Sequence, residues 1–258
     1  MTDVWERRLR RAEQLEKEWP FARDILRFFR TLTDFQREVY RLVSDPAIHC
    51  ALDDGDLLPL LPPAMKLFDL VQEHGPKELA QAAGDLERAP QEEKLRLLSD
   101  YLHRPGDLDA VASFFPRVLL QPRALATAGP AADADLPSGS CPGCGRSPLA
   151  SVLREDKQAE TVRRSLVCSF CSAEWDFPRV LCPRCREERP EKLPRFTAIE
   201  VPWMRVDACD TCRTYLKSVD LTRNPDAEPV VDELASTPLD VIARERGYTK
   251  LAPNLAGL

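Results

Sequence analysis

Eight of the nine cysteines of this 258-residue chain lie in four Cys-x-x-Cys pairs between residues 141 and 212. The pairs are Cys141/Cys144, Cys168/Cys171, Cys182/Cys185 and Cys209/Cys212. Adding 41 to each of the first four positions gives the last four, so the segment holds two copies of the unit C-x2-C-x23-C-x2-C. This register indicates a duplicated module, and it constrains the fold more than any other feature of the chain.

The spacing within each unit suits a metal ion. Two thiolates three residues apart on a tight turn can bind one face of an ion, and a second pair completes a tetrahedral set of four sulfurs. Gly145, after the first pair, can take the left-handed conformation that such a turn favours. The other three pairs carry a different residue there: Ser172, Arg186 and Arg213. These residues depart from the ideal turn without changing the ligands, so we predict all eight cysteines as metal ligands.

Other uses of the cysteines fit less well. Disulfides suit small secreted domains, whereas four matched pairs without a signal peptide favour a metal. A thioredoxin-type redox pair would need one such motif in a βαβ setting. The ligands could be shared in tandem, pairs one with two and three with four, or cross-braced, pairs one with three and two with four. Duplication of a self-contained unit favours the tandem arrangement.

Residues 1–127 predict an all-α domain. Apolar residues recur at steps of three and four from Phe21 to Leu42, which indicates an amphipathic helix ending near Asp45. The charged opening segment predicts another helix, and further helices joined by proline or glycine are predicted over residues 64–74, 76–89, 90–102 and 108–120. Residues 128–140 are small, polar and proline-bearing, and predict a linker.

The remainder predicts two metal modules, residues 141–181 and 182–258. Alternation around a charged turn predicts a hairpin between the first two pairs, with a comparable arm in the second copy. A strand follows Cys212, and one helix is predicted from about Pro229 to Arg246, closed by Gly247. The acids of VVDELAS are interpreted as a solvated helix start rather than a contact with another protein. The chain is therefore predicted to be an α+β protein.

Charge argues against two classes of partner. The net charge is −6 and the pI is about 5.3, unlike a protein with a broad nucleic-acid or anionic-membrane surface. No run of 18 apolar residues is present, so no membrane insertion is predicted. Free cysteines without a signal peptide predict a reducing, cytoplasmic location.

The order of the motifs resembles a known family. The segments CPGCG, CSFC, EWDFPRVLCPRC, CDTC, EPVVDELASTPLD and GYTKLAPNLAGL, in this order, are similar to the formate dehydrogenase accessory protein family FdhE. The similarity is close over residues 141–258 and loose over the helical half. It implies two tandem rubredoxin-like or zinc-ribbon-like modules that hold two iron ions, with the eight paired cysteines as ligands and zinc as a possible substitute.

The resemblance also implies a function. The family resemblance implies a cytoplasmic assembly protein that binds the catalytic subunit of respiratory formate dehydrogenase before twin-arginine export of that enzyme. A non-enzyme fits the residues, because no Ser-His-Asp set, glycine-rich phosphate loop or pair of catalytic carboxylates can be assembled from the pattern. Two alternatives stay open: a redox-active, electron-transferring or client-reducing protein, and a zinc-stapled nucleic-acid-binding ribbon, which the charge disfavours.

Overall fold

A computed structural model describes residues 4–45, 57–127, 139–255 and 257. The described residues form two compact units. One holds residues 28–45, 57–127 and 257, and the other holds residues 4–27 and 139–255. Most of the predicted linker, residues 128–138, and the ninth cysteine, Cys50, lie outside the described residues.

The N-terminal half is helical, as predicted. Its helices are α1 (Val4–Glu18), α2 (Arg23–Val43), α3 (Leu61–His74), α4 (Lys77–Arg88), α5 (Gln91–His103) and α6 (Ala110–Thr127). Proline or glycine stands at most of the joints between them, where a helix cannot easily continue. Nowhere in the described ranges does a helix combine the length and apolarity needed to cross a membrane.

The core of the helical unit is aromatic. Phe68 of α3 meets Phe115 of α6 edge-on with ring centroids 5.6 Å apart, and Phe114 packs at right angles to Phe115 at 5.2 Å. Phe35 and Val39 are buried on the apolar face of α2, four residues apart. The periodicity seen in the sequence therefore corresponds to the buried face over the middle of α2, whereas Phe21, the first residue of the predicted pattern, lies before the helix and is 51% exposed.

The C-terminal half is built on one sheet of seven strands. They are β1 (Pro148–Asp156), β2 (Thr161–Cys168), β3 (Glu174–Asp176), β4 (Arg195–Thr197), β5 (Met204–Cys209), β6 (Thr214–Asp220) and β7 (Thr249–Lys250). The order across the sheet is β3-β2-β1-β6-β5-β4, and β7 also pairs with β6. The predicted hairpins are present as the antiparallel pairs β1/β2 and β4/β5.

The 41-residue repeat is visible in this order. A shift by 41 residues carries β2 onto β5 and β3 onto β6, so each copy contributes three strands in the same sequence across the sheet. The copies meet where β1 pairs with β6 in parallel. The two predicted modules thus share one continuous sheet. Because β2 and β5 run in the same direction, their final residues, Cys168 and Cys209, lie at the same end of it.

The prediction of a single C-terminal helix is wrong. The chain forms α7 (Pro229–Ala235) and α8 (Thr237–Glu245), separated at Ser236, whose ψ of 47° is not helical. Pro238 lies in the first turn of α8; within one continuous helix it would have no N–H to donate to the carbonyl of Leu234, and its ring would clash with that carbonyl. The predicted end at Gly247 is found: its φ is +76°, and its N–H donates to the carbonyl of Arg244 at 2.9 Å.

Helix α1 belongs to the unit that contains the sheet, which differs from the predicted helical domain of residues 1–127. Arg11 donates two hydrogen bonds, of 2.9 and 2.6 Å, to the buried carboxylate of Asp232 in α7. Trp19, just after α1, stacks on Trp203 with ring centroids 5.4 Å apart. The division between the units therefore falls near residue 27. The α+β fold, with N-terminal helices, a sheet carrying two cysteine clusters and C-terminal helices, is confirmed.

Candidate metal centres

The eight paired cysteines come together in two clusters of four. We call them the first cluster, Cys141, Cys144, Cys168 and Cys171, and the second cluster, Cys182, Cys185, Cys209 and Cys212. Within each cluster the four Sγ atoms lie within 4.8 Å of one another. The first cysteine pair shares a cluster with the second, and the third pair shares a cluster with the fourth. The arrangement is therefore the tandem one, with one cluster for each copy of the repeat.

Each cysteine pair sits on a tight turn that is closed by backbone hydrogen bonds. The Gly145 N–H donates to the carbonyl of Cys141 at 2.8 Å, and the Arg186 N–H donates to that of Cys182 at 3.0 Å. The residue after every pair has a left-handed backbone, with φ of +72° at Gly145, +57° at Ser172, +62° at Arg186 and +56° at Arg213. The three non-glycine residues keep the turn geometry, although this conformation costs a side chain about 1–2 kcal/mol.

Two of these non-glycine side chains connect the turns to other parts of the chain. The Ser172 hydroxyl accepts a hydrogen bond of 2.9 Å from Arg8 of helix α1. The Arg213 guanidinium lies 4.0 Å from the ring centroid of Tyr248 and 3.1 Å from the carboxylate of Asp210. Glycine could make neither contact, which gives a physical reason for the departures seen in the sequence.

The sulfur positions fit a tetrahedral ion. In the first cluster Sγ of Cys141 and Cys171 are 3.5 Å apart, and in the second cluster Sγ of Cys182 and Cys212 are 3.7 Å apart. An ion with metal–sulfur bonds of about 2.3 Å places its four sulfurs about 3.8 Å from one another. Little movement would be needed to bring the thiolates to bonding distance. The donor set suits zinc or iron better than the hard ions calcium and magnesium, which take oxygen ligands.

Four thiols at these distances cannot all ionise on their own. Contacts with neighbouring thiols, Cys144 first, lower the pKa of Cys141, while the contact with Cys141 raises the pKa of Cys168. In the second cluster burial raises the pKa of Cys182. Burial acts the same way on Cys212, but the hydrogen bonds from the hydroxyl and backbone N–H of Thr214 and the contacts with Cys185 and Cys182 together outweigh it and lower that pKa to about 7. A bound cation would remove this conflict by stabilising all four thiolates.

The clusters differ in exposure. Three members of the first cluster are buried and Cys144 is partly buried. In the second cluster Cys185 is exposed, whereas Cys182 and Cys209 are buried. Cys185 is therefore the paired cysteine most open to solvent.

The acids of VVDELAS are buried, so their interpretation as a solvated helix start is wrong. Asp232 and Glu233 are both 0% exposed. The carboxylate of Asp232 accepts hydrogen bonds from Trp203 Nε1 at 2.8 Å and from the Glu228 N–H at 2.8 Å, in addition to the two from Arg11. All four donors converge on one side chain, which joins α1 and α7 to the segment before β5.

A second buried charge network holds α7 and α8 on the sheet. The Lys217 ammonium, on β6, lies 3.1 Å from Glu233 of α7 and 2.6 Å from Asp240 of α8. Lys250 pairs with the same two acids, and the Tyr215 hydroxyl donates to Asp240 at 2.7 Å. Burial alone would raise the pKa of Asp240, but the two ammonium groups hold it below its usual value. No sequence pattern pointed to this network, because it depends on side chains that the fold brings together.

The fold and the clusters define a class: α+β proteins with paired tetracysteine turns of the rubredoxin or zinc-ribbon kind. Two sequence profiles match the chain in succession, one described as the FdhE central domain, over residues 140–179, and one described as the FdhE C-terminal domain, over residues 180–256. Residues 140–256 thus match the FdhE family, as the motifs suggested.

Similar proteins support this assignment. A protein named Protein FdhE homolog from Aquifex aeolicus (strain VF5) is 26% identical over 267 residues, covering 96% of this chain and 94% of that protein. The homologue of the same name from Stutzerimonas stutzeri (strain A1501) is 36% identical over 115 residues, which cover 45% of this chain and 37% of that protein. The crystal structure of the FdhE protein from Pseudomonas aeruginosa superposes with a TM-score of 0.72 at 25% identity, covering 98% of this chain and 95% of that one.

Proposed function

We propose that this chain is an accessory protein for the maturation of respiratory formate dehydrogenase, that it binds the catalytic subunit of that enzyme in the cytoplasm, and that each cysteine cluster holds one iron ion. The observation that carries the proposal is the pair of tetracysteine clusters at one end of a shared sheet, in a chain whose residues 140–256 match the FdhE family. The clusters would act by fixing the surface that meets the enzyme subunit.

The donor set favours a binding role over catalysis. When four cysteines hold an ion, no coordination position remains open for a substrate. Such an ion supplies folding free energy and, if it is iron, a one-electron couple. Zinc accepts the same ligands and could replace iron. We therefore propose a non-enzymatic protein in which all eight paired cysteines are ligands.

The tandem arrangement gives a prediction for metal content. Purified wild-type protein should contain two ions per chain, and the variant Cys141→Ser/Cys144→Ser should contain one, because the second cluster keeps all four of its sulfurs. Elemental analysis of protein-bound iron and zinc measures both values. Loss of both ions from this variant would contradict independent sites.

The second cluster provides the test of the proposed function. We expect Cys182→Ser/Cys185→Ser to remove the ion from the second cluster, to weaken pull-down of the formate dehydrogenase catalytic subunit and to lower formate dehydrogenase activity in cells. The reason is that the turn around Cys182 loses the ion that fixes it. The matched control is Cys50→Ser, the same chemical change at the cysteine outside the pairs, which should leave pull-down and activity unchanged.

Two outcomes of this experiment have opposite meanings. If a variant shown to lack the second ion still binds the subunit and supports full activity, the sheet around that cluster is not the binding surface. If binding is lost only in the metal-free variant, the cluster maintains the surface, as proposed.

The exposure of Cys185 favours one further candidate function, a redox role for the second cluster. An iron tetrathiolate with one ligand residue at the surface can exchange an electron with a partner at short range. If this redox role is correct, the iron-loaded protein should show a reversible one-electron couple, and mixing it with the formate dehydrogenase catalytic subunit should change the redox state of that subunit. A zinc-loaded protein that fully restores enzyme activity would exclude it.

A further inference from the structure

A small cavity lies beside the second cluster, with a volume of about 30 Å³. Cys182 and Cys209 form part of its wall. Its charged lining groups are three arginines and one aspartate: Arg164, Arg179, Arg195 and Asp207. The three arginines carry more charge than the one aspartate, and part of that excess faces the net charge of about −2 that four thiolates and a divalent ion would leave on the second cluster.

The single carboxylate is already engaged. Asp207 accepts a hydrogen bond of 2.8 Å from Arg205 and one of 2.5 Å from the Ser218 hydroxyl. The nearest nitrogens of Arg164 and Arg195 lie 3.8 and 3.5 Å from its oxygens, too far for strong hydrogen bonds. Asp207 thus holds the arginines near the cavity without occupying their donors.

Arg164 has a donor to spare. Its side chain is 4% exposed, and Nη1 donates to the carbonyls of Pro178 and Leu181, both at 3.1 Å. These bonds hold the guanidinium in place at the cavity wall. Among the described residues, Nε of Arg164 has no hydrogen-bond partner. A buried polar group without a partner is uncommon in native proteins and points to an acceptor supplied from outside the chain.

We propose that this cavity binds a carboxylate group. A bound water molecule occupies about 10–15 Å³ of such a cavity, so the space holds about two oxygen-sized atoms. A carboxylate presents two oxygen atoms. Guanidinium groups match that planar pair of oxygens in charge and shape. The carboxylate can come from the C-terminus or an acidic side chain of a polypeptide, or from a small free acid. This site does not depend on the proposed role in formate dehydrogenase maturation.

The test uses the full-length, zinc-loaded protein, because zinc is diamagnetic and permits NMR. The ¹H–¹⁵N signal of Arg164 Nε is followed during titration with acetyl-triglycine, with its C-terminal amide, and with acetate at constant ionic strength. We expect a saturable shift with the free-acid peptide and none with the amide. Tighter binding of the peptide than of acetate identifies a polypeptide ligand, and equal binding identifies a small free acid.

Two exposed arginines of the cavity provide the variants. Arg179→Gln and Arg195→Gln should each weaken carboxylate binding about tenfold, the effect of losing one charge-assisted hydrogen bond. The control Arg189→Gln removes the same charge near the second cluster but outside the cavity, where Arg189 pairs with Glu187, and should leave the affinity unchanged. The proposal is overturned if neither acid shifts the Arg164 signal, if the amide binds as well as the acid, or if both cavity variants bind like the wild type.

Discussion

Asp232→Ala is expected to lower the free energy of unfolding of the sheet-containing unit by about 3–5 kcal/mol, because removing one partner of a buried ion pair leaves an uncompensated charge. The Arg11 guanidinium, buried beside Asp232, would lose both of its hydrogen bonds to that carboxylate. The Trp203 Nε1–H and the Glu228 N–H would lose the same acceptor. Urea denaturation followed by tryptophan fluorescence measures the change.

The control for this substitution is Asp226→Ala, which removes an exposed carboxylate six residues away in sequence and should change the free energy of unfolding by less than about 0.5 kcal/mol. The double variant Arg11→Met/Asp232→Leu tests the reason for the effect. It should recover much of the lost stability, since no buried charge is left unpaired. A loss below about 1 kcal/mol for Asp232→Ala would show that water reaches Arg11 and that the buried pair does not hold α1 in place.

Removal of metal is expected to have the largest effect of all. Structural zinc sites contribute about 10–16 kcal/mol of binding free energy, as much as the whole free energy of unfolding of a typical domain. Hydrogen exchange of the full chain after chelation should therefore show loss of protection in β1, β2, β5 and β6. Helices α3 to α6 should keep their protection, because their unit has a core of its own.

Re-addition of zinc or iron supplies the control, since protection of the strands should return with the ion. The Cys50→Ser variant should behave like the wild type throughout. If the strands keep full protection in protein shown by elemental analysis to be metal-free, the charge networks and the apolar core suffice for folding, and the clusters have no structural role.

The sequence predicted the features that depend on local pattern. The cysteine spacing predicted two groups of four, the apolar periodicity predicted the helices, and alternation predicted the hairpin strands β1 and β2. Gly247 was recognised as a helix end because a left-handed residue is a local requirement. In each case the signal is a spacing or alternation that can be read along the chain.

Features that depend on distant side chains were missed. Arg11 looked like one charge among many in a charged helix, yet it pairs with a residue 221 positions away. Lys217 and Lys250 gave no signal, since lysines are rarely buried unless they are paired. The break at Ser236 was missed because Pro238 also suits a helix start, and the pattern alone does not choose between a start and an interruption.

The non-glycine residues of the cysteine turns mean that the two copies of the repeat are not interchangeable. A chimera with two identical first copies would retain eight thiols in the same register. It would, however, have a serine at position 213 in place of the arginine that lies against Tyr248. The converse chimera would lose the hydroxyl that binds Arg8. Each copy has become specific to the end of the chain that it anchors: the first to the N-terminal helix, the second to the segment after α8. Divergence after duplication has thus given two similar cysteine turns different neighbours, while their ligand spacing stayed the same.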